Sequence, residues 1–282
     1  MSSLNQDIKT KFLHLHVLEK IIVLNTSLFF LGIILNLLGT NLLDWFSLPY
    51  RFSEVLSHPW SIITYGFLHH SLGHLFFNML VLYFIAQSFA NLFKPRLSFK
   101  IYILGVIFGG LAFVFVSMLI PDLLRINGPL VGASAGVRAC ILFLCVYWPN
   151  KPIGFFSFRF PLKYLGIAMV VLDLPGLMSL NSGGTVAHIG GYLSGFLYAK
   201  QLKIGKDLGS FLDVVLDYFK SVNKLKTVHK SKSSTMGGKQ KKEFNTFPQQ
   251  KQIDLILDKI SKSGYDSLTQ AEKDFLFRAG KK

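Results

Sequence analysis

The sequence predicts an all-α, polytopic membrane protein. Hydrophobic residues make up 51% of the 282 positions and charged residues only 16%. Mean hydropathy is +0.43. Several uncharged apolar runs approach or exceed the roughly 18–20 residues that a bilayer-spanning helix needs. This composition excludes a disordered chain, a collagen-like fibre and a small disulfide-stapled secreted domain.

Six spans are expected. The first covers about 21–43, after a polar N-terminus of some twenty residues without the pattern of a cleavable signal. The second covers about 62–92, with a polar outer end. The third, about 101–120, carries no charge. The fourth covers about 131–148 and holds the two cysteines, Cys140 and Cys145, read as small buried hydrophobes. The fifth, about 164–181, contains Asp173 and Pro175 and should be short or broken. The sixth covers about 186–202. The domain reading that follows is an N-terminus over 1–20, a six-helix membrane domain over 21–202, an amphipathic and basic linker over 203–250, and a small helical hairpin over 251–282.

Charge orients the spans. The chain has 30 Lys+Arg against 15 Asp+Glu, a net charge of +15. One set of loops holds Lys9, Lys11, Lys20, Lys94, Arg96, Lys100, Lys151, Arg159 and Lys163, and the basic tail joins them. The other set holds Arg51 and Arg125. The positive-inside rule therefore expects both termini in the cytoplasm, and a bacterial inner membrane is the expected location. The long loop 44–61, with Trp45, Tyr50 and Trp60, reads as an interfacial segment. From Lys200 on, eighteen basic residues face nine acidic ones. Next to a membrane domain such a tail reads as a contact for anionic lipid or a cytoplasmic partner, and nucleic acid is not expected. Leu208, Phe211, Leu212, Val215, Leu216 and Phe219 recur at helical spacing, as on a surface helix. Thr269 and Glu272 have the spacing of a capping box.

Ionisable and polar residues inside spans are expensive and need a reason. They are His69, His70, His74 and Asn78 on the second span, Ser134 and Arg138 on the fourth, Asp173 on the fifth and His188 on the sixth. Spans two, four and six run in the same direction, so His74, Ser134 and His188, near their starts, share one depth. A histidine at the depth of a serine can take its hydroxyl proton and make it a nucleophile. His74 and Asn78, four apart, share a helix face and could donate to a developing oxyanion. Gly132-x-x-x-Gly136 and Gly191-x-x-x-Gly195 are small-residue faces that let spans four and six approach.

The segments Gly132-Ala-Ser134-Ala-Gly136, Ala187-His188-Ile-Gly-Gly191-Tyr-Leu-Ser-Gly195 and His69-His-Ser-Leu-Gly-His74-Leu-Phe-Phe-Asn78 together resemble the motifs of the rhomboid family of intramembrane serine proteases, in order, over about residues 20–202. The resemblance implies Ser134 as nucleophile and His188 as its base, a dyad with no acidic third member. It implies an oxyanion hole from His74, Asn78 and the Ser134 backbone N–H, and His69 as a supporting residue. It implies no cofactor or metal, and transmembrane protein segments as substrates. The chain departs from the pattern at Ala135, where many relatives have glycine, at Ser61, where many have arginine, and at Arg138, where relatives carry an uncharged residue packed on the base. Arg138 is read either as a cation that keeps His188 neutral or as a structural partner of Asp173. The competing readings are a catalytically silent relative that binds transmembrane helices, a transporter or channel, a metal site built from His69, His74 and His188, and the nucleophile elbow of soluble hydrolases.

Overall fold

A computed structural model describes residues 2–120, 122, 126, 128–155, 158–179, 181–222 and 249–279. Arg125 and nearly all of the basic linker lie outside the described residues. The chain divides into two compact units, Met1–Asn223 and Lys224–Lys282.

In the first unit, α1 spans Ser2–His14 and α2 spans Val17–Leu37. His16 caps α2, and Glu19 Oε2 accepts from the His16 backbone N–H at 2.7 Å, closing a capping box. Short helices α3 (Leu42–Phe46), α4 (Phe52–Ser57) and α5 (Ser61–Thr64) follow. Next come α6 (Leu72–Ala90), α7 (Pro95–Leu119) and α8 (Ser134–Tyr147). A hairpin of β1 (Pro152–Phe155) and β2 (Phe158–Pro161) leads into α9 (Leu162–Asp173), α10 (Ser182–Lys203) and α11 (Ser210–Val222). By length and composition α2, α6 and α7 can each cross a membrane, and α8 is a shorter apolar helix of 14 residues. The protein is an all-α polytopic membrane protein.

The observed helices correct several expected boundaries. The first span starts at Val17 and ends at Leu37 rather than running to 43. The second helix starts at Leu72, not near 62. Residues 61–67 form α5 and a 3-10 turn, and Ser71 then caps α6 by accepting from the His74 N–H at 3.2 Å. The expected break in the fifth span falls where α9 ends at Asp173 and a 3-10 turn over Leu174–Met178 takes in Pro175.

The loop 44–61 folds onto the bundle through its backbone. Leu48 and Leu130 exchange both backbone hydrogen bonds, at 3.0 and 2.8 Å. The Trp60 indole N–H donates to the Trp45 carbonyl at 2.9 Å. Trp45, Phe52, Leu56 and Trp60 stay exposed, as residues of a membrane interface should.

The core is α7 flanked by α8 and α10. Small residues set its spacing, because backbones approach only where no side chain intervenes. A Cβ on Gly105 would sit 2.3 Å from Ala139 Cβ. One on Gly191 would sit 2.3 Å from the Ala135 carbonyl oxygen, and one on Gly195 2.2 Å from that of Ala139. The expected close approach of the fourth and sixth helices is present, but its partners differ. Gly136 packs on the Tyr102 ring of α7, and Ala135 and Ala139 form the face of α8 that meets α10.

At the other end of the bundle from His74, Ser134 and His188, α11 is latched to α7. Lys100, buried on α7, pairs with Asp207 and with Asp213 (2.8 Å). Tyr198 also donates to Asp207, and Arg96 pairs with Asp217. Burial pushes the Asp207 carboxyl up. The Lys100 ammonium and the Tyr198 hydroxyl outweigh this and hold it below the usual carboxylate range. A carboxyl depressed by folding stabilises above its unfolded pKa, and that stability is lost as pH falls through the folded value. Amide-exchange protection of α11 is therefore expected to persist down to about pH 4 and to fade below it. Lys100→Met should weaken that protection at neutral pH, because Asp207 and Asp213 lose their shared buried ammonium and keep the Tyr198 hydroxyl and Arg96 (3.6 Å) in its place.

The second unit contains α12 (Gln249–Ser263) and α13 (Gln270–Ala279). Gly264, at φ 80°, ends the first helix. Thr269 and Glu272 form the reciprocal cap: the Thr269 N–H donates to Glu272 Oε2 at 2.7 Å and the Glu272 N–H to Thr269 Oγ1 at 3.4 Å. Lys259 pairs with Glu272 at 2.8 Å, and Ile256 and Leu268 are buried.

Candidate active site

Ser134 opens α8, so its N–H is among the first N–H groups of a helix, which have no acceptor within it. The first return bond of this turn runs from the Val137 N–H to the Ala133 carbonyl, at 3.0 Å. The residue before the Ala133 cap is Gly132, with φ 130°. A Cβ there would meet the His74 ring at 2.7 Å and would lie 3.6 Å from Ser134 Oγ. Glycine is thus required twice at this position, for the backbone conformation and for the His74 ring that lies over it.

His188 is on α10, held against α8 by the Gly191 and Gly195 contacts. Ser134, His188, His74 and Asn78 all line one cavity of about 670 Å³, together with Arg138, His70 and the extended segment Gly128–Val131. Four side chains from three helices are brought together at one end of the bundle. The Asn78 amide donates to the His74 backbone carbonyl at 2.9 Å, which fixes its orientation and leaves its second N–H for another acceptor. No hydrogen bond joins Ser134 Oγ to the His188 ring. His69 does not line this cavity. It is buried behind it, its ring edge-on to that of His74 with centroids 5.0 Å apart.

Arg138, one turn below Ser134, adopts the pairing arrangement with Asp173. Its Nε and Nη2 donate to the two Asp173 oxygens at 3.1 and 3.2 Å. The same carboxylate accepts from the Tyr192 hydroxyl at 2.7 Å. Asp173 Oδ2 also lies 3.1 Å from His188 Nδ1. That ring nitrogen is buried and makes no aligned hydrogen bond, so this is a close approach rather than a formed bond. Sequence reasoning named Asp173 as a partner for Arg138 but missed its approach to His188. It also missed Tyr192, whose i+4 spacing from His188 was the available signal.

A family model described as "Rhomboid domain" matches residues 56–203, which is more than half of the chain. The chain belongs to the rhomboid family. A second model, a family of unknown function (DUF6576), matches residues 244–282. Among curated relatives, the chain is similar to "RHOMBOID-like protein 12, mitochondrial" of Arabidopsis thaliana, at 30% identity over 146 residues, 46% of this chain and 43% of that protein. It is also similar to "Presenilin-associated rhomboid-like protein A, mitochondrial" of Danio rerio, at 28% identity over 145 residues, 49% of this chain and 36% of that protein. The chain thus spans less than half the length of each relative. Both names place those rhomboid proteins in mitochondria, so neither supports the bacterial inner membrane expected from the sequence. What carries over to this rhomboid is multi-pass membrane character.

Proposed function

We propose that this rhomboid is an intramembrane serine endopeptidase that cuts peptide bonds in or next to transmembrane segments. The observation that carries the reading is the convergence of Ser134, His188, His74 and Asn78 on one cavity. Ser134 Oγ attacks the scissile carbonyl while His188 Nε2 takes its proton. The developing oxyanion is met by the Ser134 N–H at the positive end of α8, by the His74 ring and by the free N–H of Asn78. Collapse of the tetrahedral intermediate sends the proton from His188 to the leaving amine and leaves an acyl group on Ser134. Water, deprotonated by His188, then releases the acid. The step requires an extended peptide, so the substrate is a transmembrane segment that unwinds locally.

By the positive-inside rule we read the basic loops as cytoplasmic, with both termini on that side and the cavity toward the far side. The basic tail then meets anionic lipid or a cytoplasmic partner.

A second reading, a silent relative that binds transmembrane helices, is favoured by one observation: Ser134 and His188 share the cavity without a hydrogen bond between them. Catalytic hydrogen bonds in substrate-free enzymes are often long and tighten only when substrate binds, so the protease reading accommodates it. The test is cleavage of a generic transmembrane substrate by the purified full-length protein in liposomes. Two discrete fragments are expected. Intact substrate across several sequences, with folded protein present, would overturn the protease reading in favour of helix binding.

A further inference from the structure

The geometry points to Asp173 as a positioning residue that fixes the tautomer of His188, so that the site works as a Ser134–His188–Asp173 relay, with Arg138 and Tyr192 holding the carboxylate in place. This rests on the protease reading and adds to the two-membered dyad that the family resemblance implies.

An imidazole can accept the Ser134 proton on Nε2 only if its own proton sits on Nδ1. In this structure the carboxylate oxygen Asp173 Oδ2 lies 3.1 Å from Nδ1. Asp173 is the last residue of α9, at the point where the helix gives way to the 3-10 turn. Its position is fixed from two other helices: Arg138 on α8 holds both oxygens, and Tyr192 on α10 donates to Oδ2. The carboxylate and the guanidinium are each less than a fifth exposed. An isolated carboxylate in a membrane domain would be costly. Pairing with Arg138 offsets that cost, and Oδ2, which accepts from Arg138 Nε and Tyr192, meets Nδ1 as a third, shared contact. The departure from the family pattern at Arg138 is thereby accounted for: the guanidinium serves the carboxylate that orients the base.

Among the described residues, the ionisable groups that contact His188 or share its cavity are Asp173 from α9, Arg138 from α8, Tyr192 from its own helix, His74 from α6 and His70 just before α6. Of these only Asp173 offers an anionic acceptor. The misaligned Nδ1–H closes onto Oδ2 by a rotation of the imidazole ring, which is the expected change when substrate fills the cavity.

A purely structural clamp between α8 and α9 would need only opposite charges. Exchanging the charges, Arg138→Asp with Asp173→Arg, keeps the pair but puts a donor where Nδ1 needs an acceptor. The swapped full-length protein in liposomes is expected to melt near wild type, with KM within about twofold and kcat lower by roughly 10³-fold. Recovery of kcat to within about threefold of wild type would overturn the positioning role. Should the swap fail to fold, nitrogen-15 spectra of His188 in the wild-type protein decide. Protonated Nδ1 with bare Nε2 at neutral pH is expected, and the opposite tautomer overturns the proposal. A wild type that cleaves nothing while folded overturns the protease reading itself, which the spectra distinguish from a failure of Asp173 alone.

Discussion

Ser134→Ala is expected to lower cleavage by roughly 10⁴–10⁶-fold, and His188→Ala by a similar factor. The two residues act as one unit, because the hydroxyl is a weak nucleophile without the base and the base has nothing to deprotonate without the hydroxyl. The double variant should therefore be no slower than the worse single one. A multiplicative loss would mean that the residues act separately and would contradict the dyad. Ser134→Ala should leave thermal stability within about 0.5 kcal/mol of wild type, since Ser134 Oγ holds no bond to His188 in the resting site. His188→Ala leaves Asp173 its contacts to Arg138 and Tyr192, so the fold should survive that change too. Rate constants with a transmembrane substrate, set beside melting curves, check both halves.

Gly195→Val is expected to yield no folded protein. A Cβ at 195 would lie 2.2 Å from the Ala139 carbonyl oxygen and 2.9 Å from the carbonyl carbon. Those are backbone atoms inside α8 and cannot swing aside as a flexible side chain would. The two helices would have to part, and they are the helices that carry Ser134 and His188. Even Gly195→Ala should cost on the order of 1–3 kcal/mol, as overpacking does. Gly73→Ala is the contrast: its Cβ would meet nothing within 4 Å, and stability should stay within about 1 kcal/mol of wild type. Size-exclusion profiles and melting temperatures in detergent read the series. A folded, monodisperse Gly195→Val protein would contradict the close α8–α10 contact.

Hydropathy and charge spacing made the membrane fold legible, because lipid leaves few alternatives to a run of apolar residues. The helical hairpin of the second unit and its Thr269–Glu272 cap read directly, since a capping signal is local. The start of α6 did not. Hydropathy cannot separate a helix from the 3-10 turn and extended residues that precede Leu72, and only Ser71 marked the true cap. The β1–β2 pair was missed because Ile153-Gly154-Phe155 and Phe158-Arg159-Phe160 alternate over too few residues for the period of two to decide.

At the site, the shared depth of His74, Ser134 and His188 followed from span direction alone, and the glycines pointed to a close helix pair. Which small residue faces which helix did not follow. Gly136 lies on the Tyr102 side because the rotation of α8 is set by packing from three neighbours at once. The approach of Asp173 to His188 was hidden in the same way. A sequence shows that one carboxylate and one guanidinium lie in adjacent spans, but not that a third helix brings an imidazole and a phenol to the same oxygen.

The most direct measurement of the central claim is covalent trapping of the nucleophile. Purified protein in liposomes is treated with a fluorophosphonate, and the adduct is located by mass spectrometry. One adduct is expected, on Ser134, and it should disappear in folded His188→Ala. Labelling that persists in His188→Ala, an adduct on another residue, or no adduct on folded wild type would contradict a Ser134 nucleophile activated by His188.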